Sequence, residues 1–275
     1  MLGVYPSPVD ERDYTLEKIA RAIALPLQVL LPVYDILNQG WCPTCVGKGS
    51  NTILSSNYNR KLSSLYIYTR CKQQDGIPHL EGTYPSIALK VLRHEGSCED
   101  RLLPYTALKS CTILPELQEN MIANAVNYKI DSYARLWTTD EIKQALASGL
   151  YVGASFYTDI GWWEYQTGVI QKHGRKEGLH WFTICGYGEK GFRIANSWGK
   201  TWGEGGYAWL SFEAISDMVE AWAVRMTAPT IDEPEIKETF WETFIRRLIE
   251  ILIKYLGGDV VSKLYRKTFP KNGKV

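Results

Sequence analysis

Two short motifs, far apart along the chain, limit the folds that this sequence can adopt. The first, over residues 38–45, reads Asn-Gln-Gly-Trp-Cys-Pro-Thr-Cys, and the second, over residues 180–199, begins with a histidine and ends in Asn-Ser-Trp-Gly. A thiol, an imidazole and an amide in this chain order are the components of a Cys-His-Asn centre. His180 follows Cys45 by 135 residues and Asn196 follows it by 151. The fold therefore has to bring three distant segments to one place.

The order of the predicted elements indicates an α+β protein. Apolar residues at helical spacing predict helices over 62–74, 85–94, 115–127 and 140–147, the last with Thr139 as N-cap, and a further helix that begins near Pro43 or Thr44. Runs rich in aromatic and β-branched residues predict strands over 151–157, 181–187, 192–196, 206–212 and 222–226. Helices first and strands later favour a helical lobe and a β lobe, with substrate in the cleft between them.

A helix that begins next to Cys45 also affects its chemistry. The N-terminus of a helix carries a partial positive charge, which favours a thiolate over a thiol. With His180 on a neighbouring strand, we predict an ion pair that makes Cys45 nucleophilic near neutral pH.

Composition excludes several classes of function. The chain has 275 residues, of which 45% are hydrophobic and 22% are charged, as in an ordinary globular protein. A formal net charge of +1 gives no reason to expect a nucleic-acid partner. The first residues lack the apolar core of a secretory signal, and no apolar run is long enough to span a membrane, so we expect a cytoplasmic location. The cysteines lack the spacing of a zinc site, and neither a metal nor an organic cofactor is expected.

These motifs resemble those of the papain-like cysteine proteases, peptidase family C1, in a short prokaryotic or phage-type form without a propeptide. The resemblance covers roughly residues 24–227 and includes Gly-Tyr-Gly at 186–188 and Trp-Gly-Glu-Gly-Gly-Tyr at 202–207. It implies that Cys45 is the nucleophile, that His180 is the general base and acid, and that Asn196 orients the imidazole. It also implies that Gln39 and the Cys45 backbone N–H stabilise the oxyanion.

The resemblance further implies a two-lobe fold, with a C-terminal antiparallel β-barrel-like lobe, and a substrate cleft. Residues 82–85, Gly-Thr-Tyr-Pro, resemble the Gly-Gly-Tyr-Pro segment that lines this cleft, with Thr83 in place of the second glycine. The backbone at Thr83 is therefore not expected to meet substrate in the usual way. Residues assigned to substrate binding are Gly82, Thr83, Tyr84, Pro85, Ala154, Leu179 and Trp198. The specificity pocket is assigned to four of these residues, Tyr84, Pro85, Ala154 and Leu179, whose apolar character predicts a preference for a hydrophobic substrate side chain. Trp198 is expected to shield the hydrogen bond between His180 and Asn196 from water.

The cysteines depart from the family pattern. Around the nucleophile only the two cysteines of the family signature are kept, and Val46 replaces an aromatic residue. Leu80 stands where the family has the partner of Cys42, so the usual Cys42 disulfide is not expected. Cys71 and Cys111 lie near positions that pair in the family.

The extent of the resemblance, together with the composition on either side of it, predicts three segments along the chain. Residues 1–23 form an extended N-terminal arm, and residues 24–227 form the peptidase domain, with a helical lobe over about 24–112 and a β lobe over about 113–227. Residues 228–275 read as an amphipathic helical tail that docks in cis, dimerises or binds a partner.

The leading hypothesis is a peptidase that hydrolyses peptide or isopeptide bonds of a protein or peptide substrate through a Cys45 acyl-enzyme. A catalytically impaired papain-fold binding protein is one alternative, prompted by Val46 and Thr83. A second alternative is a thiol–disulfide oxidoreductase that uses Cys42 and Cys45 as a Cys-x-x-Cys pair. That hypothesis leaves His180 unexplained.

Overall fold

The structure is a computed structural model that describes residues 3–171 and 176–226. The helices are α1 (Leu16–Ile19), α2 (Cys45–Tyr58), α3 (Ser64–Gln74), α4 (Pro85–His94), α5 (Glu119–Ala125), α6 (Thr139–Ala147) and α7 (Ile160–Trp163), with short 3₁₀ helices over Tyr105–Ala107 and Phe212–Asp217. The strands are β1 (Val29–Leu30), β2 (Ile130–Leu136), β3 (Tyr151–Thr158), β4 (Val169–Ile170), β5 (Gly178–Gly188), β6 (Gly191–Ala195), β7 (Tyr207–Leu210) and β8 (Met218–Met226). The tail predicted over residues 228–275 lies outside the described residues.

Helix α2 is the buried centre of the helical half, and two glycines allow its neighbours to approach. A Cβ atom on Gly49 would lie 2.6 Å from the indole of Trp181 in β5, and one on Gly47 would lie 2.9 Å from α3. Glycine inside a helix costs roughly 0.5–1 kcal/mol relative to alanine. Here that cost is offset by close packing, which places the first turn of α2 directly against β5.

The strands of the β lobe form an open sheet and not the barrel-like lobe that we predicted. Their order is β2-β8-β3-β5-β6-β7-β4, with β1 also paired to β5, and all pairs are antiparallel except β4–β7. The two ends of this order, β2 and β4, do not pair with each other. Tyr14 of the arm instead forms a bridge to Ala134, and the Arg135 N–H donates to the Tyr14 carbonyl at 2.9 Å, so the arm covers this edge of β2.

Several element boundaries differ from the predicted ones for identifiable reasons. Helix α4 has the predicted bounds, whereas the helix predicted over 115–127 is confined to α5, and β2 was not predicted. The N-cap of α6 is Thr138 and not Thr139. The Glu141 N–H donates to the Thr138 hydroxyl at 3.2 Å and the Thr138 N–H donates to the Glu141 carboxylate at 2.9 Å. This reciprocal capping box moves the start of the helix by one residue.

In the part of the chain that the structure describes, no helix is both long and apolar enough to cross a membrane.

Candidate active site

Cys45 is the first residue of α2 and is fully buried. Its thiol lies beside the backbone N–H of Trp181 in β5, the residue after His180. The close packing of α2 on β5 therefore brings the predicted nucleophile to the strand that carries the predicted base.

His180 and Asn196 are joined by a short hydrogen bond between Nε2 of the ring and Oδ1 of the amide, 2.7 Å apart. The backbone N–H of Ser197 donates to the same Oδ1 at 2.8 Å, which fixes the orientation of the amide. Since an amide oxygen only accepts, Nε2 carries the ring proton and Nδ1 keeps its lone pair. Nδ1 has no hydrogen-bond partner among the described residues. The imidazole is thus oriented with one nitrogen free to accept a proton.

Trp198 stacks on this imidazole and is itself in contact with two further tryptophans. The Trp198 ring lies 4.7 Å from the ring of His180, the ring of Trp163 lies 4.1 Å from Trp198 on a nearly parallel plane, and Trp202 contacts Trp198 edge-on at 5.3 Å. Trp198 therefore lies where it shields the hydrogen bond between His180 and Asn196 from water. Trp163 was not predicted as part of the site, although the Trp-Trp pair at 162–163 was a signal that could have indicated it.

Gln39 is tied to the segment that follows Asn196. The Gln39 N–H donates to the Ser197 carbonyl, and the Ser197 hydroxyl donates to the side-chain Oε1 of Gln39, both at 2.8 Å. Its Nε2 donates to the Cys42 carbonyl at 3.1 Å. A carboxamide nitrogen has two hydrogens, so one remains for a further acceptor. The structure thus brings together Cys45, His180, Asn196 and Gln39.

The burial of the thiol and the imidazole in this structure disfavours the predicted ion pair between them. Burial raises the pKa of the Cys45 thiol, although neighbouring backbone N–H groups partly oppose the shift. Burial also lowers the pKa of His180 to about 4, despite its hydrogen bond to Asn196. Loss of water disfavours both charged forms and here outweighs the helix terminus.

The predicted N-terminal arm provides part of this burial. The backbone of Gly3 lies against the Cys45 thiol. The Thr83 N–H donates to the Gly3 carbonyl at 3.0 Å, and the Tyr5 N–H donates to the Thr83 carbonyl at 3.1 Å, so that Val4 forms a parallel bridge to Thr83. A Cβ atom on Gly3 would lie 1.8 Å from the Pro43 carbonyl oxygen. The arm therefore occupies the cleft beside the thiol through a contact that requires glycine.

Both backbone groups of Thr83 take part in β-type pairing with the arm. Its hydroxyl donates to the Asp75 carboxylate at 2.9 Å, which draws the side chain towards α3. Asp75 forms a buried ion pair with Lys72 at 2.8 Å, and the Lys72 ammonium also donates to the Gly82 carbonyl at 3.0 Å. With its side chain held in this way, Thr83 presents both backbone groups to the arm.

The predicted specificity pocket is only partly assembled. Tyr84 and Pro85 lie at the start of α4 beside Thr83, and Leu179 shares a core cluster with Cys45. Ala154 belongs instead to the core of the β lobe.

Two polar residues near this pocket were not predicted, Ser155 and Glu220. The buried Glu220 carboxylate accepts hydrogen bonds from the Ser155 hydroxyl at 3.3 Å, from the Trp222 indole N–H at 2.7 Å and from the Ser7 N–H of the arm at 3.1 Å. Glu220 was missed because the predicted strand began only at residue 222. This buried carboxylate thus joins the arm to β3 and β8.

Cys42 forms a disulfide with Cys111, with Cα atoms 5.1 Å apart. The usual Cys42 disulfide was not expected, and this different pairing was not predicted. The 3₁₀ turn at Tyr105–Ala107 carries the chain towards residue 111 beside the loop that contains Cys42. Cys71 is free and buried in α3, so the Cys71–Cys111 pairing is not formed. Because Cys42 is bonded to Cys111 and Cys45 is a free thiol, the redox pair of the oxidoreductase alternative is not formed either.

The sequence matches one protein-family model and several curated proteins. The model of the family described as papain family cysteine protease matches residues 28–222. The chain is 23% identical over 206 residues to gamete and mating-type specific protein A of Dictyostelium discoideum, covering 71% of this chain and 44% of that protein. It is 33% identical over 146 residues to cathepsin B-like CP3 of Giardia intestinalis, covering 46% and 45%. Pro-cathepsin H of Mus musculus is 28% identical over 192 residues, covering 64% and 55%. The chain thus spans about half the length of these curated relatives.

Solved structures show the same fold. Xylellain, a cysteine protease from Xylella fastidiosa, superposes with a TM-score of 0.71 at 24% identity, covering 82% of this chain and 96% of that one. The proform of the ragweed pollen cysteine protease Amb a 11 superposes with a TM-score of 0.64 at 23% identity, covering 76% and 69%. The α+β fold is therefore papain-like.

Proposed function

Since the chain belongs to the papain family of cysteine proteases, we propose that it hydrolyses peptide or isopeptide bonds through an acyl-enzyme on Cys45. The observation that carries this proposal is the oriented imidazole. His180 Nε2 donates to Asn196, and its Nδ1 has no hydrogen-bond partner in the part of the chain that the structure describes. The strand that carries His180 packs on the helix that begins at Cys45. These are the nucleophile, base and orienting group that acyl transfer requires.

In the proposed reaction His180 moves the protons and Cys45 makes and breaks the bonds to carbon. Nδ1 accepts the thiol proton as the sulfur attacks the substrate carbonyl carbon, and the carbonyl oxygen becomes an oxyanion. The free Nε2 hydrogen of Gln39 and the Cys45 N–H stabilise that oxyanion. When the tetrahedral intermediate collapses, the imidazolium donates its proton to the leaving amine. Water, deprotonated by the same imidazole, then hydrolyses the thioester and restores the thiol.

Protein or peptide substrates of this reaction would replace the arm in the cleft. Thr83 already uses both backbone groups to pair with the arm, so an extended substrate backbone can form the same two hydrogen bonds. Departure of the arm also admits water, which restores the charged forms of Cys45 and His180. The arm thus has to leave before the first bond is broken.

A cytoplasmic location stays a prediction from sequence. The Cys42–Cys111 disulfide argues against it, because structural disulfides persist mainly in oxidising compartments.

Intact-mass labelling with a peptidyl epoxide tests the proposed nucleophile. One adduct is expected on the wild type, lost in Cys45→Ala, strongly reduced in His180→Ala and kept in Cys185→Ala. Cys185 is a matched control because it is also a free, buried thiol. An adduct that survives Cys45→Ala contradicts the assignment. Absence of both labelling and peptide hydrolysis, even when Gly3→Ala opens the cleft, would instead support the binding-protein alternative.

A further inference from the structure

The side chain of Tyr105 connects the two short segments that carry the oxyanion donors. Its hydroxyl donates to the Gln39 carbonyl at 2.8 Å, and the Thr44 hydroxyl lies 2.7 Å from the same phenolic oxygen. A carbonyl oxygen only accepts, so the single hydrogen of Tyr105 points to Gln39 and Thr44 donates to Tyr105. The result is a directed chain of hydrogen bonds from Thr44 through Tyr105 to Gln39.

Thr44 gives up its ordinary helix-capping role to make this contact. A threonine at the N-cap usually accepts a hydrogen bond from a backbone N–H in the first turn. In α2 the N-cap is Thr44, yet its side chain makes no capping hydrogen bond. Because the Thr44 carbonyl and the Cys45 N–H belong to one peptide group, a restraint on Thr44 also restrains that N–H.

We propose that Tyr105 is a positioning residue for the oxyanion hole. Its hydroxyl sets the distance between the side-chain amide of Gln39 and the backbone N–H of Cys45. The inference rests on the proposed peptidase function. Among the described residues, the hydroxyl of Tyr105 is hydrogen-bonded to Thr44 and Gln39 and not to the thiol or the imidazole. It acts through the two residues that its hydroxyl joins, at the point where the loop over residues 39–44 enters α2.

The Tyr105 ring is itself held in place from two sides. The Lys48 ammonium, one turn after Cys45 in α2, lies 3.1 Å from the centroid of the ring, and Lys48 is only 3% exposed. The Cys42–Cys111 disulfide connects the loop over residues 39–44 to the segment that follows Tyr105. A cation over the ring and a covalent link nearby both limit the movement of the phenol.

Replacing Tyr105 by phenylalanine removes the hydroxyl and keeps the ring over Lys48. Loss of an entire oxyanion donor costs roughly 10²–10³ in kcat. Tyr105→Phe leaves both donors present but less well placed, so we expect kcat for a fluorogenic peptide to fall about 10-fold, with KM changed less than twofold. The matched control is Tyr66→Phe, because Tyr66 is also buried in the helical lobe and its hydroxyl has no partner among the described residues.

A double-mutant cycle with Gln39→Ala separates positioning from a general structural effect. If Tyr105 acts through the oxyanion hole, Tyr105→Phe lowers kcat in the wild-type background and has less than a twofold effect once Gln39 is alanine. The rate of Cys45 alkylation by iodoacetamide, which needs no oxyanion hole, stays within twofold of the Tyr66→Phe value. Thr44→Val removes the hydroxyl at the other end of this chain of hydrogen bonds. If Tyr105→Phe folds poorly, Thr44→Val replaces it in the test and should show the same fall in kcat.

Wild-type kcat in Tyr105→Phe, or the same loss with and without Gln39, would overturn the inference while leaving the peptidase assignment intact. If the peptidase assignment itself is wrong, the wild-type protein will neither hydrolyse peptides nor be labelled at Cys45.

Discussion

The two halves of this active site are built in different ways. The imidazole half, His180, Asn196 and Trp198, lies on or directly after β5 and β6, which are paired neighbours in one sheet. The thiol half, Gln39, Thr44 and Cys45, lies on a loop and a helix start that are held by contacts from distant segments, namely Ser197, Tyr105 and Cys111. The first half is therefore preformed by local strand pairing, whereas the second depends on tertiary contacts and is covered by the arm. We therefore expect changes in distant segments to affect the thiol half more than the imidazole half.

The largest effect is expected in the imidazole half. His180→Ala removes the base and acid of the proposed reaction, and general acid–base catalysis contributes about 10²–10⁴-fold. We expect kcat/KM for a fluorogenic peptide to fall by at least that factor. Phe156→Leu, a conservative change at the residue opposite His180 in β3, is the control for disturbance of the strand pair. Hydrolysis at more than a tenth of the wild-type rate in His180→Ala would mean that the imidazole half is not catalytic.

The arm contact tests the thiol half. Gly3→Ala places a methyl group 1.8 Å from the Pro43 carbonyl oxygen, too close to be accommodated, so the arm should leave the thiol. We expect the rate of Cys45 alkylation at pH 7 to rise about 10-fold, because renewed solvation lowers the raised pKa of Cys45. Its pH profile should shift to lower pH.

Val9→Ala serves as the control, since Val9 is an arm residue that faces solvent. An unchanged alkylation rate in Gly3→Ala, or an equal rise in Val9→Ala, would show that the arm does not limit access to Cys45.

We expect a smaller effect from the stacking of Trp163 on Trp198 than from His180→Ala or Gly3→Ala. Trp163→Ala removes the ring that covers Trp198 and admits water towards the hydrogen bond between His180 and Asn196. We expect about a 3- to 10-fold fall in kcat, because each stacked aromatic pair contributes about 0.5–1.5 kcal/mol. Trp163→Phe keeps a stacking ring and should retain most of the activity. Equal losses in the two variants would exclude stacking as the cause.

The same division explains how much could be predicted from sequence. The resemblance to the papain family predicted that His180 and Asn196 act together, and the two side chains are hydrogen-bonded in the structure. The strands that carry or precede them were predicted from local apolar patterns. Helix α4 was predicted to the residue, since its proline start and apolar spacing are also local. The Cys42–Cys111 disulfide and the hydroxyl of Tyr105 could not be predicted in this way, because their partners are about 60–70 residues apart and no local pattern records such pairing. The role of Ala154 in the pocket stays a prediction, since the structure shows only that it packs in the core of the β lobe.

The smallest effect concerns the pH dependence of stability in the thiol half. Burial lowers the pKa of Lys48 to about 7, against an ordinary value of 10.5. Between these values the unfolded chain holds a proton that the folded chain lacks, so the free energy of unfolding rises with pH, by at most about 1.4 kcal/mol per pH unit. Lys48→Met keeps the length of the side chain and removes the titration.

We therefore expect the free energy of unfolding of the wild type, relative to Lys48→Met, to be flat below about pH 7 and to increase from pH 7 to 9 in urea titrations. Lys200→Met is the matched control, because Lys200 is an exposed lysine paired with Asp35 at 2.8 Å and does not contribute to the pKa shift of Lys48. Its difference from the wild type should stay constant over this range. If the difference between wild type and Lys48→Met is also constant, Lys48 is charged throughout, and the cation over the Tyr105 ring then supports the thiol half equally at every pH in this range.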